Sequence, residues 1–362
     1  MPRAAITLCG LLLLTGLVYV RSLGATFVYE DWLVGFGNST PRSLLLGIVH
    51  LDAKSLARVG YAFCTWLGSG AVWPFHALNL TGHLLNGTLL YWLFQRMQIG
   101  RAIALTGVYI FLLHPLSSES VLYAENATEI LSTMGVLLAC VAALSSSRWR
   151  WLGIGLGCLA AYAGKQSGIT ALPLVVLVAM YKYRTRLSLM WALAGLGAVG
   201  VLVRVAWHTG QAITPEVETA FSGGQFLSWQ ATAVWRYLLM VPTLVGQSVD
   251  HDFEVVAAPV QYLALAGIVT LAVGLTYLWL RRHALWADRR YDLLIFGLLW
   301  AGVDLTPRFL MRITEAINEH QMYRPMIGFS LAAAQGLLLL CPSLMDPFIP
   351  KAVSISPVSE GV

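Results

Sequence analysis

The sequence predicts an all-α, polytopic membrane protein of about ten or eleven transmembrane helices, and three observations carry that prediction. Hydrophobic residues make up 57% of the 362-residue chain and charged ones only 11%, with a mean hydropathy of +0.69. A soluble domain carries about 25% charged residues, so the water-soluble classes are excluded. Apolar runs recur along the chain at lengths near the roughly 20 residues that cross a bilayer. Basic residues gather in very short loops between alternate runs, as the positive-inside rule requires.

The runs fall near 4–23, 76–95, 102–117, 130–147, 151–164, 168–181, 187–206, 259–280, 291–306 and 325–341. The first follows Met1-Pro2-Arg3 and meets no small-residue cleavage site before Glu30, so it is expected to stay as an anchor. With the N-terminus in the cytoplasm, 13 of the 23 Lys and Arg residues lie inside, among them Arg96, Arg101, Arg148, Arg150, Arg281 and Arg282. Only Asp288, Asp292, Asp346 and Glu360 of the 18 acids join them. The net charge of +5 therefore follows from topology and gives no reason to expect a nucleic-acid partner. An apolar segment at 225–246 then has both ends outside. A crossing there would invert the basic Arg281-Arg282 loop, so a re-entrant or surface-lying piece is expected.

Residues 1–342 form a single transmembrane domain in this reading, and 343–362 a short cytoplasmic tail. The longest outer loops are 24–75, 207–224 and 307–323. Within the first, Arg42–His50 and Lys54–Phe63 have the pattern of amphipathic surface helices. Cys9, Cys64, Cys140, Cys158 and Cys341 are scattered and include no CxxC pair, which indicates neither a zinc site nor a disulfide framework.

Acidic and basic residues at the outer ends of the spans are the candidates for chemistry, because ionisable groups at a membrane are costly to keep. Glu30 and Asp31 follow the first span among Phe27, Tyr29 and Trp32. They read either as a solvated acid pair or as a general base held at an apolar boundary. His76, Asn79, His83 and Asn86 lie at i, i+3, i+7 and i+10, on one face of one helix. That stripe either glues spans together by hydrogen bonds or faces a wet cavity. His114-Pro115 closes the third span, ahead of Glu119, Tyr123, Glu125 and Glu129. Gly164-Lys165-Gln166-Ser167-Gly168 forms a tight outer turn, where Lys165 either snorkels or receives a lipid-borne phosphate. The last outer loop places Arg308, Arg312, Glu315, Glu319, His320 and Arg324 beside Tyr323. These bases either pair with the loop's own acids or clamp an anionic leaving group.

In this order, the stretches FVYEDW with Asn38, WPFHALNLTGHLLNGTLLYWL, HPLSSESVLY with Glu129, AGKQSG, YLLMVP and EHQMYRPMIGF resemble the GT-C superfamily of polyprenyl-phosphate-sugar-dependent glycosyltransferases. The likeness is to the membrane domain of the O-mannosyltransferases that carry tetratricopeptide repeats, and to their bacterial relatives. It covers about residues 24 to 340. The resemblance implies a site on the extracytoplasmic face. Glu30 or Asp31 would be the catalytic base, His114 and Glu119 would line the substrate pocket, and Lys165 and Arg324 would hold the lipid phosphate. It implies a polyprenyl-phosphate sugar donor, a protein or glycan acceptor, and inversion at the anomeric carbon. Cationic side chains can neutralise the phosphate, so no cofactor is required, and a divalent metal is not indicated.

The chain departs from the family pattern at Ala127, where an Arg is common, and at Gln166, where a Glu is common. Those departures keep open a second reading, a catalytically degenerate subunit of a larger membrane complex. A transporter fits less well, since no inverted repeat of interrupted helices is visible.

Overall fold

A computed structural model describes residues 2–28, 31–32, 53–183, 223–248, 251, 256–285, 291–310 and 317–341, and every regular element among them is helical. Twelve helices of eight residues or more follow in chain order. They are α1 (Pro2–Tyr19), α2 (Ser55–Gly68), α3 (Trp73–Arg96), α4 (Arg101–Leu113), α5 (Pro115–Leu122), α6 (Ala127–Ala143), α7 (Arg150–Gly164), α8 (Ala171–Tyr183), α9 (Gly223–Thr243), α10 (Ala258–Leu285), α11 (Asp292–Leu305) and α12 (Pro325–Leu340). The expected span 187–206, the expected helix Arg42–His50, the tail 343–362 and the candidate residues Glu30 and Arg312 lie outside the described residues.

Among the described residues, four stretches have the length and composition of a membrane span: Ala4–Gly24, Ala124–Ala143, Ala258–Arg281 and Asp292–Leu310. The pair α4 and α5 makes a fifth if it is counted as one broken span. Several long apolar helices of this kind mark an integral membrane protein. The sequence expectation was about ten or eleven, from the length of the apolar runs. The expected span 187–206 lies outside the described residues, and part of the remaining difference has local causes. Helix α7 has 15 residues and α8 has 13, short of the roughly 20 that one crossing takes. Helix α3 has 24 residues, but His76, Asn79, His83 and Asn86 lower its hydropathy.

Burial sorts these helices into a centre and a rim. The span in α6 is 83% buried, whereas those of α1 and α10 are 11% and 6% buried. Outward-facing Ile6, Leu13, Leu263 and Val273 on the rim helices are exposed, which suits hydrocarbon and not water. The main core joins α3, α4, α6, α8, α9, α11 and α12 through residues such as Leu93, Phe111, Leu137, Tyr237, Phe296 and Met326. Helix α9, the segment expected to re-enter or lie on the surface, buries Phe226, Trp229, Val234 and Tyr237 in that core.

Helix α2 confirms that a helix forms over the expected 54–63 stretch, and extends it to Gly68. Its inner face buries Ala57, Tyr61 and Cys64 against Phe27 and Phe75. Its outer face is aromatic, with Phe63 and Trp66 both exposed.

Two local devices give the bundle its geometry. Pro115 has no N–H to continue α4, so the chain breaks at His114 and restarts as α5 at 54° to α4. His114 caps the new helix, its Nδ1 accepting the Leu116 N–H at 3.1 Å. Between α6 and α7 the backbones nearly touch. A Cβ on Gly164 would lie 2.5 Å from the Ser132 nitrogen, and one on Gly168 would overlap the Ala161 carbonyl. Only glycine permits that approach, and it brings the turn after α7 onto the start of α6.

Candidate functional site

The seam between α6 and α7 forms one wall of a cavity of about 300 Å³. Glu129 lines it from α6, Lys165, Gln166 and Ser167 from the turn after α7, and Asp304 from the end of α11. Arg308 from the single turn Pro307–Leu310, Gln321 and Arg324 complete the opposite side, and Ala53 and Lys54 lie at its edge. Lys165, Arg308 and Arg324, three of the residues singled out in the sequence, therefore meet in one place.

Two ion pairs lie inside. Lys165 Nζ lies 2.9 Å from Glu129 Oε1. Arg324 Nε donates to Asp304 Oδ1 at 2.6 Å, and the same oxygen accepts Thr170 Oγ1 at 2.6 Å. The remaining arms of Arg324 donate to Ser132 Oγ and to the Ser167 carbonyl, both at 2.9 Å. One guanidinium thus ties α6, the turn after α7 and α11 together. Arg308 donates to Gln321 Oε1, to Tyr237 OH at 3.1 Å and to Gln230 Oε1 at 3.3 Å. Its guanidinium also sits 4.9 Å above the Tyr237 ring, a cation–π arrangement. Buried cations held this rigidly make a preorganised cradle for an anion.

Asp31, predicted as a proton acceptor, stands elsewhere. It is fully buried and does not line the cavity. Its Oδ1 accepts the Glu125 N–H at 2.8 Å and its Oδ2 the Val28 N–H at 3.2 Å. It caps the turn Ala124–Asn126 that leads into α6. Burial nevertheless pushes its carboxyl above the usual aspartate range, against the pull of those backbone amides. Glu125 on that turn pairs with Lys54 Nζ at 2.9 Å, and its carbonyl accepts the Tyr61 hydroxyl. Lys54 in turn reaches the cavity edge, so a short chain of contacts links Asp31 to the cavity.

Asn79, His83 and Asn86 of the polar stripe of α3 hold helices together. His83 Nε2 donates to the Leu112 carbonyl at 3.0 Å, which leaves Nδ1 to accept from Tyr323 OH at 2.7 Å. Asn86 donates to the same hydroxyl at 3.2 Å and to the Ile130 carbonyl at 3.0 Å. Asn79 donates to the carbonyls of Ser120 and Tyr123, closing the end of α5. His76 is buried on the same face. None of the four lines the cavity. His114 is likewise committed: besides capping α5, its Nε2 donates to the Val241 carbonyl at 3.0 Å, and that pairing fixes a neutral ring.

The segment before α12 is anchored by two further carboxylates. Glu119 accepts the His320 N–H at 2.7 Å and His320 Nδ1 at 2.9 Å. Glu319 Oε1 accepts the Ser248 N–H at 2.6 Å and His251 Nε2 at 3.0 Å. Burial raises the Glu319 carboxyl above the ordinary glutamate range, with the Ser248 amide and His251 opposing. These contacts hold the segment that presents Gln321 and Arg324 to the cavity. Among the described residues no three of His, Cys, Asp and Glu converge as metal ligands would.

Beside the polar cavity lies a groove of about 380 Å³ lined only by Leu56, Val59, Gly60, Phe63, Trp66, Leu78 and Leu131. Lys54 and Glu129 line the polar cavity, and Leu56 and Leu131, two residues further on and on the other face of the helix, line the apolar groove.

Glu129, Asp304, Ser167 and Gln321 were not among the residues chosen from the sequence as site members. Glu129 already stood beside the HPLSSESVLY stretch, and Asp304 is a lone acid inside the apolar run 291–306. No family model, curated protein or solved structure matches the chain.

Proposed function

We propose that the chain is a membrane glycosyltransferase with a GT-C-like architecture of about ten or eleven spans, which moves a hexose from a polyprenyl-phosphate carrier to an acceptor hydroxyl. The observation that carries this reading is a cavity lined by Lys165, Arg308 and Arg324, with a separate apolar groove on neighbouring residues of α2 and α6. A ligand that fits both is amphiphilic, with an anionic head for Lys165, Arg308 and Arg324 and a hydrocarbon chain for Phe63, Trp66 and Leu131. The basic residues of the short loops put the N-terminus in the cytoplasm and this cavity on the extracytoplasmic side.

In the reaction, the acceptor oxygen bonds to the anomeric carbon as the bond from that carbon to the phosphate oxygen breaks. The bonding electrons leave with the phosphate, and the three cations stabilise the charge that develops there. The acceptor proton goes to a carboxylate. Asp31 is held by backbone amides away from the cavity, so we assign the base role to Glu30 and give Asp31 the task of fixing the turn Ala124–Asn126. A single displacement inverts the anomeric carbon.

The test uses the full chain in membranes with a radiolabelled polyprenyl-phosphate hexose. Lys165→Gln and Arg308→Gln should each reduce transfer at least about a hundredfold, the scale of losing one group that stabilises transition-state charge. Glu30→Gln should abolish transfer with the melting temperature unchanged. Full activity in all three variants would overturn the proposal.

A second reading rests on a specific observation. Lys165 and Arg324 are already neutralised by Glu129 and Asp304, as expected of a fold that keeps its charge pairs and has lost transfer. A degenerate subunit would purify at fixed stoichiometry with other membrane proteins and hold no polyprenyl lipid.

A further inference from the structure

Asp304 Oδ2 and Ser167 Oγ, in the cavity wall, have no hydrogen-bond partner among the described residues although solvent does not reach them. Buried polar atoms are nearly always paired, and an exception asks for a reason. Both residues line the cavity, and both are fixed by Arg324, which donates to Asp304 Oδ1 and to the Ser167 carbonyl.

The local chemistry narrows what could complete them. Asp304 Oδ1 already accepts two hydrogen bonds, from Arg324 and Thr170, so Oδ2 is the vacant half of a carboxylate. An ionised carboxylate only accepts hydrogen bonds. A phosphate oxygen has no proton to offer when ionised and would repel the carboxylate. The nearest cations meet other acceptors: Lys165 faces Glu129, and Arg324 meets Asp304 through Oδ1 and turns its other two nitrogens to Ser132 and Ser167. A neutral donor fits the vacant oxygen, and a hydroxyl is the simplest. Ser167 Oγ can both donate and accept, which suits a second hydroxyl on the same ligand.

We propose that Asp304 and Ser167 bind hydroxyl groups of the sugar in a glycosyl phosphate whose phosphate lies on Lys165 and Arg308, and so decide which sugar the cavity accepts. This rests on the phosphate-binding role proposed for the cavity and adds a determinant of specificity to it. Asp304 and Ser167 act by positioning the sugar and take no part in bond exchange.

Binding of two probes to the detergent-solubilised full chain, measured by titration calorimetry, tests the proposal. The probes are inorganic phosphate and a hexose 1-phosphate. The hexose 1-phosphate should bind the wild-type chain about tenfold or more tighter than inorganic phosphate, since a hydroxyl bonded to a charged group adds on that order. Asp304→Asn removes the charge opposing the anion and turns an acceptor into a donor. Phosphate should then bind tighter while the advantage of the hexose 1-phosphate disappears, so the two probes move in opposite directions. Ser167→Ala should cut the hexose advantage severalfold without disturbing the Arg324 pairs, and it decides the question alone if Asp304→Asn does not fold. A hexose advantage unchanged by Ser167→Ala and by any folded Asp304→Asn protein overturns the inference, as a bound water would then complete those atoms. Failure of the wild-type chain to bind either probe overturns the phosphate-binding reading itself, and this inference with it.

Discussion

Lys165 Nζ rests 2.9 Å from Glu129 Oε1, so the ammonium at the tip of the turn after α7 meets the cavity already matched to a carboxylate from α6. Both groups are largely withdrawn from solvent, with side-chain exposures of 19% and 4%. Removing one partner of a buried pair is strongly destabilising because the other is left unpaired. Lys165→Met should therefore lower stability by about 3 kcal/mol, discounted for the part of Lys165 that solvent still screens. Glu129→Gln in the same background should restore most of it. Denaturation of the four proteins of this cycle in detergent checks the coupling, and additive effects would show that the pair does not stabilise the fold.

The seam between α6 and α7 has no room for a methyl group. Gly164→Ala places a carbon 2.5 Å from the Ser132 nitrogen, and overpacking of this kind costs about 1–3 kcal/mol. The strain falls on the segment that carries Lys165 and Ser167, so phosphate affinity should drop together with the melting temperature. Gly155→Ala has open space around it and should leave both alone. Equal behaviour of the two variants would contradict the close approach.

Tyr323 OH joins α12 to α3 by donating to His83 Nδ1 and accepting from Asn86. Tyr323→Phe leaves both buried partners short of a bond, which costs about 1–3 kcal/mol. Chemical denaturation gives the magnitude. Because this cluster does not line the cavity, phosphate binding by the folded fraction should be unchanged.

Asp31 gives a pH signature. Burial holds its carboxyl above the ordinary value of 3.8. A group whose pKa is raised by folding contributes stability that is complete below the unfolded value and is lost as pH rises through the folded one. The stability of the wild-type chain relative to Asp31→Asn should therefore decline upward from about pH 4. Melting curves of both proteins across that range report it, and a difference that ignores pH would mean that the carboxyl titrates normally.

Local pattern was enough to reveal much of this architecture. The apolar runs announced most of the helices, His114-Pro115 announced the break between α4 and α5, and the spacing of His76, Asn79, His83 and Asn86 put them on one face. What that face does depended on Tyr323 and on carbonyls of other helices, which no spacing within α3 reveals. Lys165, Arg308 and Arg324 were legible as bases on an acid-rich side. Their carboxylate partners were not, since Glu129 and Asp304 are distant in sequence from the cations they meet. Asp31 misled for a related reason. A buried acid beside a membrane reads as a base, yet its position is set by the amide of Glu125, 94 residues away.

The glycine contacts between α6 and α7 make the two sides of the cavity mechanically unequal. Backbone pressed on backbone leaves that side no slack, whereas the opposite side is built from long side chains on a single helical turn and a loop. The unyielding side therefore keeps Lys165 and Ser167 in a fixed register.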